Sequence, residues 1–577
     1  MGYEDRPQQP VLRQFGGLNT RDSEIGLPGN DSPYLINVDL HPEGSMKQRK
    51  GIAAETTPGA IGTDPIGAVM RLDQPEADKG WVYIISGGVI YRTLEPAVWS
   101  WEAPTAVAGA IPLQQTYGRA NARYNNGTEY PSCLYICRSG AAPIIAKGIT
   151  AATDLELMVQ YAQGTGTYTP DAPAVGSGTT GFPASWTGTH WPTHMRLMNG
   201  GRGARVHAWG FPDDRNKIYY TALDIPWHYG PNDIDHSDFV TSIETDGGFY
   251  YVNRGDGGVV VSVVDMYAYT VVFKRHRIYL FTGDPGDAGG NYWNPVAEIG
   301  VGCVSDRAWQ KVGNDILFWS EDGPRSLAAV QQYGDLQQAN LGFKINDQVT
   351  SIAPGNYERI CSYHDVTNMR VIWYVPENGS EYNNAAYVYY YNTQKWSKWT
   401  GDAAQMMDVL RITSNATNAD RAIGGTYDNG MVLLQSTKYD IEPVAPADEE
   451  EAAAGDIQSE YITNWINSGE ISDATRALSL DVMFGDDGPQ VDMYYQTDLN
   501  DDWTLVPRLE RSLGGTGTAW GNFAWGAAAW GVTGRSMNRY EFDALFNIIR
   551  LKFAKTSHLG FEVMGYRLEM RQRGSRA

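Results

Sequence analysis

Arg370-Val-Ile-Trp-Tyr-Val375 and Ala386-Tyr-Val-Tyr-Tyr-Tyr391 are two runs of β-branched and aromatic residues, each too short for a stable helix and bounded by turn formers. Runs of this kind read as strands. The same grammar extends outward on both sides. Trp81-Val-Tyr-Ile-Ile85, Leu134-Tyr-Ile-Cys137, Lys217-Ile-Tyr-Tyr220, Val259-Val-Val-Ser-Val-Val264, Thr270-Val-Val-Phe273, Arg277-Ile-Tyr-Leu-Phe281 and Asp315-Ile-Leu-Phe-Trp319 precede them, and Met431-Val-Leu-Leu434 follows. From about 65 to 437 the pattern is antiparallel and all-β. Several runs end in similar turns: Ser86-Gly-Gly88, Thr282-Gly-Asp284, Ser320-Glu-Asp-Gly323 and Tyr427-Asp-Asn-Gly430. Strand, tight turn and strand recurring at tens of residues is the signature of propeller blades. The period is irregular, which leaves a sandwich or a pair of barrels as the alternative.

Working outward again, residues 1–55 are expected to be an extended N-terminal arm. Pro10, Pro28, Pro33 and Pro42 alternate with Gly16, Gly17, Gly26, Gly29 and Gly44 too often for any long element. Residues 56–437 form the expected β-propeller, although the Gly-, Thr- and Pro-rich stretch from about 139 to 200 reads as a long loop or extended crossover. Residues 438–456 are an acidic Pro/Ala linker. In 457–577 the runs Ser479-Leu-Asp-Val-Met-Phe484, Val491-Asp-Met-Tyr-Tyr495, Asn547-Ile-Ile-Arg-Leu-Lys-Phe553 and Phe561-Glu-Val-Met-Gly-Tyr-Arg-Leu-Glu-Met570 alternate as a C-terminal β-sandwich-like domain would.

Composition narrows the function classes. Asp plus Glu number 67 and Lys plus Arg 45, giving a net charge of -22 that repels phosphate and disfavours a tight nucleic-acid grip. If DNA were held, the local basic lining would fall on Arg567, Arg571, Arg573 and Arg576. With 12% aromatics the chain is not disordered, and with 64 Gly in 577 residues it is not extensively helical. The four cysteines, Cys133, Cys137, Cys303 and Cys361, have neither redox nor zinc spacing and read as buried thiols made in a reducing compartment. The start carries no apolar export signal, and no window reaches the roughly 18 apolar residues of a membrane span, so no membrane insertion is expected.

Motifs for catalysis, metals and cofactors do not hold up, and none of the three is expected. Asp498-Leu-Asn-Asp-Asp502 begins like a calcium loop but has Trp503 where Gly is needed and Leu509 where a bidentate Glu belongs. His190-Trp-Pro-Thr-His194 has zinc-helix spacing, but Pro192 breaks the helix and the general-base Glu is missing. Ser320-Glu-Asp-Gly323 lacks the spacer and following aromatic of a sialidase Asp-box turn. A glycosidase would pair two carboxylates from different strands, and Asp213-Asp214 and Asp233-Ile-Asp235 are the densest acidic pairs near aromatics. The most unusual motif is Trp520-Gly-Asn-Phe-Ala-Trp525-Gly-Ala-Ala-Ala-Trp530-Gly531. Indoles at steps of five fit neither strand nor helix. They read as a Gly-hinged loop with tucked rings, as an exposed patch for a protein partner, or, third, as a sugar-stacking platform.

A family resemblance enters through the arm, where Phe15-Gly-Gly-Leu-Asn-Thr20, Pro33-Tyr-Leu-Ile-Asn-Val-Asp39 and Gly44-Ser-Met-Lys-Gln-Arg-Lys-Gly51 stand in order. Val206-His-Ala-Trp-Gly210, Asn216-Lys-Ile-Tyr-Tyr-Thr221, Pro226-Trp227, Ile299-Gly-Val-Gly-Cys-Val-Ser305, Phe318-Trp-Ser-Glu-Asp-Gly323 and Lys395-Trp-Ser-Lys-Trp399 follow, and the Trp-Gly repeat and Tyr566-Arg-Leu-Glu569 close the run. Nearly the whole chain resembles the tail tubular, or nozzle, β-propeller proteins of short-tailed bacteriophages, which are related in architecture to packaged-DNA stabilisation proteins. Thr221 stands where the family pattern has serine. The resemblance implies a structural virion protein, made in the host cytoplasm, that forms a hexameric ring below the portal and adaptor. Such a ring conducts and plugs the genome exit, passes double-stranded DNA without binding it tightly, and carries tail fibres or spikes. Phe15, Leu18, Trp520, Trp525 and Trp530 are the candidate interface residues. The competing classes are a carbohydrate-active propeller and a receptor-binding adhesin.

Overall fold

The computed structural model describes residues 13–27, 30–54, 65–74, 79–86, 88–94, 120–126, 130–138, 140–146, 155–157, 186, 189–200, 203–221, 247–266, 269–285, 294–328, 340–413, 420–427, 431–437, 456–467, 475–485, 491–507, 511–512, 536–557 and 560–572. Among them, seven small antiparallel sheets follow one another along the chain, each pairing its strands in sequence order. Blade 1 is Ile66–Gln74, Lys79–Ser86 and Val89–Leu94; blade 2 is Ala120–Asn126, Tyr130–Arg138, Ala141–Ala146 and Leu155–Leu157. Blade 3 comprises His194–Gly200, Gly203–Trp209, Lys217–Tyr220 and Gly248–Tyr251, and blade 4 Val260–Met266, Tyr269–Lys274, Ile278–Thr282 and Asn294–Ile299. Blade 5 has Trp309–Val312, Asp315–Ser320 and Gly323–Ser326, and blade 6 has Cys361–Asp365, Arg370–Val375, Ala385–Tyr390 and Lys395–Trp399. Blade 7 is Met406–Thr413, Asp420–Thr426 and Met431–Thr437, completed by Gly51–Ala54 from the arm.

This is a β-propeller, and the strand order decides it over a sandwich or paired barrels. The decisive runs of the sequence are its middle strands. Arg370–Val375 is buried at all six positions because a blade packs against neighbours on both faces, which is why it reads as an unbroken apolar run. Ala141–Ala146 and His194–Gly200 correct the expectation of a long loop at the two ends of the stretch from about 139 to 200, while residues 158–185 lie outside the described residues.

Two larger sheets complete the fold as a sandwich. One has five strands in the order Tyr34–Ile36, Ile457–Ile462, Ile549–Ser557, Asp492–Thr497 and Asn500–Leu505. The other has six: Val38–Leu40, Met46–Gln48, Glu562–Gln572, Thr475–Phe484, Ser536–Phe546 and Arg511–Ser512. The arm thus supplies one strand to the first, two to the second and the closing strand to blade 7. A single buried cluster runs through the arm, blades 4 to 7 and both sheets.

The Phe15-Gly-Gly-Leu motif is the joint. Phe15 is 1% exposed and meets Tyr461, Phe553 and Tyr566 with ring centroids at 5.0, 5.5 and 5.5 Å. A Cβ on Gly16 would lie 2.2 Å from the Asn30 carbonyl oxygen, and one on Gly17 would lie 2.8 Å from the Trp396 nitrogen, so only glycine lets the arm double back between sandwich and blade 6. Leu18, 2% exposed, donates its N–H to the Trp396 carbonyl at 2.8 Å. The expected placement of Phe15 and Leu18 at an interface is therefore corrected. Both are core residues of their own chain.

The candidate site at the propeller axis

First strands of successive blades touch one another, His194–Gly200 with Ala120–Asn126 and Val260–Met266, and Met406–Thr413 with Cys361–Asp365 and Ile66–Gln74, so the first strand of each blade is its innermost, at the axis. Residues 305–307, entering blade 5, lie across that axis. Arg307, 4% exposed, donates to the Met407 carbonyl of blade 7 at 2.7 Å and to the Gly67 carbonyl of blade 1 at 3.4 Å. Its neighbour Asp306, 6% exposed, accepts both Arg196 Nη2 hydrogen bonds from blade 3, at 3.0 and 3.2 Å. Arg196 reaches on to Ser262 Oγ and the Val263 carbonyl in blade 4, both at 2.9 Å. Trp309 Nε1 donates to the same Ser262 hydroxyl at 3.0 Å, and its ring lies under the Arg196 guanidinium at 4.8 Å. Ser362 of blade 6 donates to the Arg307 carbonyl at 2.7 Å.

Two consecutive residues therefore tie together inner strands from most of the ring. Asp306 persists at this depth because Arg196 pairs with it, whereas Arg307 is held by backbone carbonyls. The surroundings are dry enough to perturb their neighbours. Burial pushes His194 down to about 4, with Asp306 opposing and Arg196 and Arg307 adding to the shift. Burial, with Asp306 second, pushes the Cys137 thiol well above its ordinary value, and the same two influences raise Cys303 to about 12 against the hydrogen bonds it makes. Cys137, Cys303 and Cys361 are buried thiols with no disulfide.

The axis holds a second carboxylate, Asp408, which accepts from the Val69 N–H at 3.0 Å and the Val409 N–H at 3.1 Å. Asp306 is occupied by a guanidinium and Asp408 by backbone donors. Glycoside hydrolysis needs one carboxyl that gives a proton and another that takes one or attacks, both facing a sugar. The axial pair is committed instead to holding blades together.

The other candidates are scattered. Asp213 lies 3.4 Å from His190 Nδ1 at the surface, Asp214 pairs with Arg254, and His194 instead shares a hydrogen bond with the Thr193 hydroxyl and stacks on Trp209. Among the described residues no group of three or more His, Cys, Asp or Glu has the geometry to hold a metal ion. Arg567 donates to Asp481 at 2.5 and 2.9 Å. Trp520, Trp525, Trp530, Asp233, Asp235, Arg573 and Arg576 lie outside the described residues, as do the linker residues 438–455. No helix among the described residues is long and apolar enough to cross a membrane.

No family model matches the chain, and no curated protein matches its sequence. Among solved structures, the extracellular domain of the putative one-component system BT4673 from B. thetaiotaomicron aligns with 78% of this chain at 10% identity and a TM-score of 0.31. The alignment covers 52% of that protein, so this chain spans about half its length. BBS1N, solved in complex with ARL6DN, aligns with 67% of this chain and 96% of its own at 9% identity and a TM-score of 0.27. Alignments this loose carry no argument, and the propeller assignment rests on strand order.

The Arg196–Asp306 pair and the arm's clasp to blade 6 escaped the sequence reading. In the clasp, Arg370, 2% exposed, holds Asp39 of the arm and Asp365 at 2.9 Å each, while Tyr390 and Trp399 also donate to Asp39. No local spacing could have exposed either one, because the partners in each are tens to hundreds of positions apart.

Proposed function

We propose that this chain is a tail tubular, or nozzle, protein of a short-tailed bacteriophage: a structural subunit of a hexameric ring below the portal and adaptor. The ring conducts and plugs the genome exit and carries tail fibres or spikes. The observation that carries the reading is the ordered run of motifs from Phe15-Gly-Gly-Leu to Tyr566-Arg-Leu-Glu569. The first of these motifs is the joint between propeller and sandwich, the kind of rigid coupling a wall subunit needs. The engagement of Asp306 and Asp408 in bonds between blades supports a non-enzymatic role, and the net charge of -22 supports passage of DNA without a tight grip, since few phosphates could be neutralised. In this reading the passage runs between copies of the chain and not through a propeller.

The test is composition and imaging of purified virions. Several copies per particle and a ring on one vertex are expected; absence from the virion, or a single copy per particle, contradicts the proposal. Incubation with capsular and cell-wall polysaccharides separates it from the carbohydrate-active alternative. Cleavage that disappears when one Asp or Glu is replaced favours the enzyme.

A further inference from the structure

The five-stranded sheet buries one face in the sandwich core, through Leu35, Tyr461, Leu551, Phe553 and Met493. Its other face carries the alternate residues of the same strands. Register places Tyr34, Ile462, Lys552, Tyr494 and Leu505 directly opposite one another, a single row crossing all five strands. The row is apolar and aromatic except at its centre. Its two ends, Tyr34 and Leu505, are 44% and 51% exposed.

Two cations are set into this face. Arg550 lies over the Trp465 and Trp503 rings at 4.6 and 5.3 Å, and the Lys552 ammonium lies over Tyr494 and Trp503 at 4.7 and 4.8 Å. Their side chains are only 16% and 18% exposed. Arg550 is satisfied by Glu24 at 2.6 Å and Gln496 at 2.7 Å. Lys552 is different. Among the described residues it makes no hydrogen bond, and its one carboxylate neighbour, Glu460, stands 3.8 Å away. An ammonium with three donors to place and no hydrogen bond among the described residues has room for a further acceptor.

We propose that this face docks an extended segment of a partner protein, in which an Asp or Glu side chain, flanked by apolar residues, donates its carboxylate to Lys552. The arm already displays that chemistry against the neighbouring cation. Glu24 pairs with Arg550, and the next residue, Ile25, is 61% exposed beside it. Charge complementarity selects an acidic occupant for Lys552. Trp, Tyr and Arg at the centre with an apolar surround match the composition of interface hot spots. The inference does not rest on the nozzle reading.

The experiment uses the full chain and a fluorescent synthetic peptide in which Glu and Leu alternate, followed by anisotropy. Binding is expected, weaker by about tenfold when Gln replaces Glu in the peptide or when Lys552→Met is tested, a change of about 1.4 kcal/mol. Raising salt should weaken it in the same direction. Glu460→Gln, which removes the competing carboxylate, should tighten binding and serves as the informative variant if Lys552→Met does not fold. No binding, equal binding of the Glu and Gln peptides, or no response to either variant overturns the proposal. Polygalacturonate bound by the wild type and lost in Lys552→Met assigns the face to acidic sugars and overturns it equally.

Discussion

Phe15 shows what a single side chain contributes here. It fills a space between three rings from the far end of the chain, and truncating it removes a full aromatic from a packed core. Phe15→Ala should therefore cost about 3–5 kcal/mol, read as a lowered chemical-unfolding midpoint of the isolated subunit. An unchanged midpoint would return Phe15 to an interface. His207 gives a second prediction. It is 2% exposed, edge-on to Tyr220 and Tyr250, and burial together with the Arg205 charge pushes it down to about 3. The unfolded chain takes up a proton there below about pH 6.5, while the folded protein refuses it until near pH 3, so stability falls as pH drops through that window. His194 acts in the same direction down to about 4. The thermal midpoint should decline between pH 7 and 5, and His207→Phe should decline less steeply; parallel curves would refute the assignment. At this scale the sequence made Phe15 and Leu18 recognisable as residues that must be covered. It could not say whether the cover came from this chain, because Tyr461 and Tyr566 stand some 450 and 550 positions away.

Among elements, legibility followed length and partnership. The blade strands of five or six apolar residues declared themselves, because burial on both faces demands an unbroken apolar run. Tyr34–Ile36, Val38–Leu40 and Met46–Gln48 did not, since three residues carry no measurable period and the strands that seat them in the two sheets, Ile457–Ile462 and Glu562–Gln572, lie at the opposite end of the sequence. Gly51–Ala54 is small and plain, yet it pairs Ile52 with Leu434 and closes the ring of blades. Ile52→Pro removes a backbone donor from that ladder and should speed proteolysis within blade 7, with the other blades spared at first. Uniform cleavage would mean that closure depends on something else. The clasp is testable too. Arg370→Met strands Asp39 and Asp365 in a buried site and should lower stability by about 3–5 kcal/mol by calorimetry. A neutral result would show that water reaches both carboxylates.

At the scale of the molecule, the all-β class, the propeller and the sandwich were all readable, whereas the number of blades and the bonds across the axis were not. Blade count is hidden by unequal connections, and the axis by contacts that join residue 196 to 306 and 307 to 407. The arm changes what a linker means in this chain. Because it belongs to both sandwich sheets and to blade 7, cutting between 438 and 456 should leave propeller and sandwich associated. The nicked protein should elute from gel filtration as one species and separate only in denaturant. Two native peaks would show that the arm's contacts are weak. The same interlacing has a consequence in time. Gly16 and its hydrogen-bonding partner Tyr461 are 445 positions apart, and at roughly 5–20 residues per second the ribosome needs about 20–90 s to cover that interval. For that period the arm emerges first and waits longest, a sequence of unmated strand edges whose partners do not yet exist. Birth of this protein is therefore a vulnerable interval, and its yield should respond to translation speed and to chaperones that shield exposed strands.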